Sequence, residues 1–411
     1  MELTKVIAEN ITRLLEENNL TQGELSNYLD ISRQTLSNYL RGTSTIDTVR
    51  LVKTAEFLGV APSVLLENSS STKPPRCPIL LRSIVRAHDP ISSIESTVFD
   101  YLERYEHLAQ AIGITSRFLP EQHDLYINHR GAKININYEL NNVPPVKFKV
   151  DDELRNEIYT IADSQRRLLG LNEPGAIELI PALIQRGVKI FFLDFHSSNI
   201  WGLSICDNIH GCCIFVNKHS SIPIERQLFT VAHEFAHIIL HRPLLSTSGG
   251  APLSTQYIEL LDKMADEFAG RLLCPPDAVA SYAKYFNYPD ATLKSIFLFA
   301  VRLKKKLQIS LSSLLISLNH YGIISKSIVS EYYRWANVSG YIEKEFAPIS
   351  DDTPLKEYFE HVRDSHLVEL LRRVHENRSL SLSEISYYLD CDVARASAVL
   401  KDLNDDFSDF I

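Results

Sequence analysis

Between Gln227 and His241 the chain reads QLFTVAHEFAHIILH, with apolar side chains at most positions not held by His or Glu. Apolar residues on every side of a helical run predict a helix enclosed by other elements, with no wet face. Three apolar runs precede it: VKIFFLDF, NIWGLSIC and GCCIFVN. Their length and their β-branched and aromatic content predict strands, with a hairpin turn around His210 between the last two. Before them, DDELRNEIYTIADSQRRLLGL has helical spacing and a stop at Gly170, and a second helix is expected over about 174–186. After the enclosed helix, QYIELLDKMADEFAGRLLC predicts another.

The ends of the chain follow a different pattern. Residues 1–68 predict short helices over about 3–18, 21–29, 32–41, 47–58 and 62–67, with Thr21 and Ser32 as N-caps and Gly42 as a stop. Short helices joined by very short turns have the form of a helix-turn-helix, with Leu25, Leu29, Ile31, Leu36 and Leu40 as core. NSSSTKPPRCP, residues 68–78, is linker by composition. Residues 79–113 predict amphipathic helix, and 114–150 irregular chain. Residues 291–350 predict a helix, a break near Gln308–Ser310 and a second helix; residues 353–411 repeat helix, turn, helix. The fold class expected is α+β in a mostly helical multidomain chain. An all-α helix-turn-helix unit occupies 1–68, a linker and helical connector 69–150, and an α+β core with a small three-stranded sheet 151–290. Helix-turn-helix-like regions follow at 291–350 and 351–411.

Composition narrows the class. The chain has 411 residues and a net charge of −9. It has no apolar run of about 18 residues and no basic-then-apolar start, so a cytoplasmic protein without membrane segments is expected. Six Cys without a C-x-x-C pair exclude a zinc ribbon and are expected to be reduced core residues. Residues 1–68 carry six basic and nine acidic side chains, a net of −3. A single acidic copy binds DNA weakly, because phosphate neutralisation dominates affinity, so a dimer is expected.

The chemistry concentrates in His233, Glu234 and His237, an H-e-x-x-h pattern written H-E-x-x-H. Residues four apart share a helix face, so two imidazoles can grip one metal ion while Glu234 acts as general base. The bland alternative is a structural helix with two satisfied core histidines, but a charged Glu in an apolar run calls for a partner. A catalytic zinc site takes a third protein ligand and keeps one position open. Glu259, Asp262 and Asp266 on the next helix are the candidates. His210, His241 and Tyr257 are candidates for steadying the oxyanion. The strand ending at Asn217 is a candidate for pairing with an extended substrate.

T-V-A-H-E-F-A-H-I-I-L-H followed by A-D-E-F-A-G-R-L-L-C-P resembles the ImmA/IrrE family of zinc metallopeptidases. The second family motif is roughly E-x-x-A-N/D-x-F-A-x-x-L-L-x-P, and its first Glu is the third ligand. Aligned on Ala265, Asp266 and Phe268, that position is Asp262, a side chain one methylene shorter than Glu. The resemblance therefore implies that the 151–290 core is zincin-like, with Zn2+ held by His233, His237 and Asp262, and Glu259 and Asp266 as alternatives. The segment TQGELSNYLDISRQTLSNYLRG resembles the Xre-type DNA-binding domains. That likeness implies a recognition helix presenting Arg33, Gln34, Thr35, Ser37, Asn38 and Arg41 to base edges of double-stranded DNA, with Gln22 at a phosphate. Family members cleave a repressor protein, often phage-type, and some respond to single-stranded DNA. A zinc-dependent endopeptidase coupled to DNA binding is thus expected. The alternative is a transcription regulator, or an antitoxin or phage-defence component, with a metal site that does not cut.

Overall fold

The structure is a computed structural model. It describes residues 2–17, 20–58, 65, 80–82, 91–113, 118–129, 131–140, 148–172, 175, 178–195, 200–208, 210–246, 255–283, 293–339, 365–389 and 391–408. The chain divides into two compact units, Met1–Arg76 and Cys77–Ile411.

The first unit packs helices α1 (Glu2–Glu17), α2 (Gln22–Tyr28), α3 (Arg33–Leu40) and α4 (Thr48–Leu58). Thr21 and Glu24 form a reciprocal capping box that starts α2, and the Ser32 hydroxyl accepts from Thr35 N–H to start α3. Ile11, Leu25, Leu29, Leu36, Tyr39 and Ala55 are buried at its centre; Ile31 and Leu40 pack against them half-buried. Of the helix expected over 62–67, only Leu65 falls within the described residues, and it is buried. The 68–78 linker lies outside them.

The second unit begins with strand β1 (Leu80–Arg82) and helix α5 (Ile91–Ala111). A hairpin, β2 (Tyr126–His129) and β3 (Ala132–Asn135), and the short α6 (Ile136–Glu139) occupy part of the stretch expected to be irregular. Helices α7 (Asp152–Leu168) and α8 (Leu179–Gln185) lead to strands β4 (Lys189–Leu193), β5 (Gly202–Asp207) and β6 (Gly211–Asn217). Then come α9 (Ile224–Leu240), α10 (Arg242–Ser246), α11 (Thr255–Leu273), α12 (Pro276–Ala283), α13 (Leu293–Leu307), α14 (Leu311–His320) and α15 (Lys326–Ser339). Helices α16 (Ser365–Asn377), α17 (Leu382–Leu389) and α18 (Val393–Ser408) follow.

The sheet has four strands in the order β1-β5-β6-β4, not three. β4 runs parallel to β6, while β5 is antiparallel to β6 and β1 antiparallel to β5. Because side chains alternate across a strand, the sheet feeds two cores. Ile190, Phe192, Ile214 and Val216 join one core with α7 to α9 and α11 to α15. Phe191, Leu193, Leu203, Ile205 and Phe215 join a second core with α5 and α16 to α18. The expected pairing of β6 with an extended substrate is ruled out, since β4 and β5 occupy both of its edges. Cys206 and Cys212 face each other across the β5–β6 register with Cα atoms 4.1 Å apart, and their sulfurs are bonded. This corrects the expectation of reduced cysteines for that pair, which the hairpin brings directly opposite; Cys213 and Cys274 keep free thiols. Among the described residues no helix is long and apolar enough to cross a membrane.

Candidate metal centre

α9 is enclosed as its composition demands: thirteen of its seventeen residues are buried, His233, Glu234 and His237 among them. It crosses α11 on one side and lies under β5 and β6 on the other. Its last carbonyl, at Leu240, accepts from Asn137 Nδ2 at 3.0 Å, so the short α6 finishes the helix end.

The helical spacing of four brings His233 Nε2 and His237 Nε2 to 3.1 Å from each other. α11 supplies Asp262, whose Oδ1 lies 3.5 Å from His237 Nε2 and 3.9 Å from His233 Nε2. One donor atom from each of the three falls within 4.8 Å of the others. Two imidazoles from the enclosed α9 and a carboxylate from α11, converging on one point, fit a divalent metal. Burial alone would raise the Asp262 carboxyl, but hydrogen bonding and charge from His233 and His237 outweigh it and hold it well below its ordinary range. The two alternatives lie elsewhere. Glu259 is exposed one turn earlier. Asp266 Oδ1 stands 2.8 Å from His233 Nδ1, on the far side of that ring, where it fixes the tautomer and leaves Nε2 for a metal.

His241 does the same for the second imidazole. Its Nδ1 is 2.9 Å from His237 Nδ1, and it is fully buried. Burial, then the neighbouring His237, pushes its pKa well down, so it is neutral. With His237 Nε2 turned to the point where the three donor atoms meet, its Nδ1–H donates to His241. Accepting there puts the His241 proton on its buried Nε2, which has no hydrogen-bond partner among the described residues, so the bond does not use the donor that an oxyanion role needs. The other two oxyanion candidates have contacts of their own. His210 bonds Asp207 in the β5–β6 turn at 2.9 Å, and buried Tyr257 stacks on Phe148.

Glu234 has no exposed surface, and its Oε2 accepts from Ser204 Oγ of β5 at 2.9 Å. Gly202 sets how closely β5 approaches α9. A Cβ added there would collide with Thr230 Cγ2 and come within 3.1 Å of Glu234 Oε1. Sequence reasoning missed both residues, because partners on a neighbouring strand leave no local pattern. His241, one further helical turn along the same face, carried a signal in its spacing. A cleft of about 550 Å³, lined among others by Arg155, Lys263, Arg271 and Lys304, reaches this centre only at Asp266.

In the first unit, α3 turns Leu36 and Tyr39 inward and leaves Arg33 and Gln34 exposed and Ser37 and Asn38 half-exposed. Gln34 Nε2 donates to Asn38 Oδ1 at 3.3 Å. The Thr35 hydroxyl is engaged with Ser32 at 2.8 Å. Gln22 and Arg41 are exposed at the start of α2 and just past the end of α3.

Residues 185–319 match the family model of the IrrE N-terminal-like domain, a peptidase family. Residues 11–65 match the model of the helix-turn-helix domain. The chain therefore carries an IrrE-type peptidase domain behind a helix-turn-helix of the Xre type. The first implies a metal and a protein substrate, and the second supports DNA binding. No curated protein matches the chain.

Proposed function

We propose that this chain is a zinc-dependent endopeptidase coupled to a DNA-binding unit, and that it regulates transcription by cutting a repressor protein. The observation that carries the reading is the convergence of His233 Nε2, His237 Nε2 and an Asp262 oxygen beside a buried glutamate. Two nitrogens and one carboxylate oxygen suit zinc and leave a position for water, unlike the closed Cys-rich sets of structural sites. Zinc held there supplies polarisation of the scissile carbonyl and acidification of water. Glu234 takes the proton of the attacking water and delivers it to the leaving amine. Ser204 fixes the plane of the Glu234 carboxylate for that traffic.

In the first unit, Arg33, Gln34, Thr35, Ser37, Asn38 and Arg41 are assigned to base edges and Gln22 to a phosphate of double-stranded DNA. A homodimer on paired half-sites compensates the acidic balance of each copy. Resemblance adds single-stranded DNA as an activator, and a chain that acts on DNA and on a repressor would do so in the cytoplasm.

A second reading, a regulator whose metal site does not cut, draws on one observation, the complete burial of Glu234. Glu234→Gln separates the two. The peptidase reading expects zinc to stay bound at one per chain while cleavage of a repressor falls by at least about 100-fold, the scale of a lost general base. Unchanged regulation in cells carrying this variant would establish the second reading. His233→Ala and Asp262→Ala are each expected to lose zinc; retention in the aspartate variant would move the third ligand to Glu259 or Asp266.

A further inference from the structure

Backbone hydrogen bonding shows which way β5 faces. Asn217 N–H donates to Trp201 O at 2.8 Å, so Trp201 and Asn217 form a hydrogen-bonded pair. In an antiparallel ladder such pairs alternate, which sends the backbone groups of Leu203, Ile205 and Asp207 to β6. The 4.1 Å Cα separation at Cys206–Cys212 has the closeness of the non-bonded pairs between them. Gly202 and Ser204 therefore aim their N–H and C=O at the opposite edge. Those are the residues of β5 that meet Glu234, through the Ser204 hydroxyl and the close approach at Gly202. The edge of the sheet beside the general base thus presents two backbone donor–acceptor pairs. An extended peptide would bind such an edge by strand addition.

That edge is taken. β1 lies on it antiparallel, with Leu80 opposite Ser204, Leu81 opposite Leu203 and Arg82 opposite Gly202. β1 comes from the segment that follows the first compact unit, which ends at Arg76. It pairs with nothing else in the sheet, since it stands at the end of the strand order. A three-residue strand contributes few hydrogen bonds, and a two-stranded contact of that size is marginal on its own. Its hold comes from tethering, which gives a short linked segment an effective concentration on the order of millimolar.

We propose that residues 80–82 are a built-in occupant of the peptidase's substrate edge. They hold the Gly202 and Ser204 backbone groups until an extended peptide displaces them. This rests on the peptidase reading above for the word substrate, but the occupancy is testable without catalysis. The substrate class follows: an extended, locally unfolded segment able to pair with two alternate residues of β5. A folded helix does not qualify.

The test uses a labelled peptide, PILLRSIVR, which repeats residues 78–86. It is titrated by fluorescence anisotropy against two full-length chains, both carrying Glu234→Gln. One has the native linker and the other has Leu80→Gly, Leu81→Pro and Arg82→Gly. The variant is expected to bind the peptide at least tenfold more tightly, because its own competitor is gone. Equal affinities, or no binding to the variant, overturn the proposal. Hydrogen exchange of the native chain, resolved to single amides, keeps the question open to refutation should the variant fold poorly. Gly202 and Ser204 amides are expected to be protected like that of Leu203, and exchange as fast as an open strand edge refutes the occupancy. Cleavage of an unfolded casein probe by the matching pair with Glu234 intact separates the two ideas. Tighter peptide binding with no cleavage by either chain removes the peptidase reading and leaves the edge assignment standing.

Discussion

A methyl group at residue 202 has nowhere to go. It would run into Thr230 Cγ2 and press within 3.1 Å of both Glu234 Oε1 and the Phe215 carbonyl. Gly202→Ala is expected to cost about 1–3 kcal/mol, the usual range for overpacking a filled interior. Thr230→Ser removes the offending methyl and keeps the hydroxyl that donates to Arg226 O at 2.8 Å. The double variant is expected to recover more than half of the loss in denaturant unfolding. Simple addition of the two single effects would show that the methyl contact is not what limits the approach of β5. At this scale the sequence was informative only along one helix. The meeting of two imidazoles follows from their spacing on a helix, and His241 extends the same face. Gly202, Ser204 and the outer position of Asp266 depend on how separate elements cross, which no local pattern encodes.

Elements were legible where their boundaries carry their own chemistry. Ser32 and Ser310 cap α3 and α14 through their side chains, and Gly170 takes a φ of +68° just past α7. The β2–β3 hairpin and α6, within 114–150, and the first strand were not legible. β1 has three residues, and β2 and β3 four each, too few to establish a period of two. The second core offers a test of capping chemistry. Ser381 and Glu384 cap α17 reciprocally, Ser381 N–H donating at 2.9 Å and Glu384 N–H at 3.2 Å. These bonds and Arg378 lower the Glu384 carboxyl from its ordinary 4.5 to about 2. A folded pKa below the unfolded one means stability present above about 4.5 that is lost as pH falls toward 2. The site is open to solvent, so Glu384→Gln should cost no more than about 1 kcal/mol at neutral pH. The gap between wild type and variant should close across that acid window in denaturant titrations at stepped pH. A gap that does not change with pH would mean the carboxylate charge contributes nothing to the cap.

Across the whole molecule, the charge balance and the 68–78 composition pointed to separable parts, and the two compact units each enclose their own core. All three metal-facing donors belong to the second unit, on α9 and α11. A ligand that binds only a folded site adds RT ln(1 + [L]/Kd) to that unit's stability, about 2.7 kcal/mol at a hundredfold excess over Kd. For a unit as long as Cys77–Ile411 a kilocalorie moves the melting point by roughly 1–2 °C. Calorimetry of the full chain should therefore show two transitions. A strong chelator should lower the transition of the unit spanning 77–411 by about 3–5 °C and leave that of residues 1–76 where it was. The same chelator applied to His233→Ala should move neither. Were both transitions of the native chain to fall together, the metal would be holding more than the α9–α11 crossing. Were neither to move, His233, His237 and Asp262 would be a polar cluster in the core and the hydrolytic reading would lose its foundation.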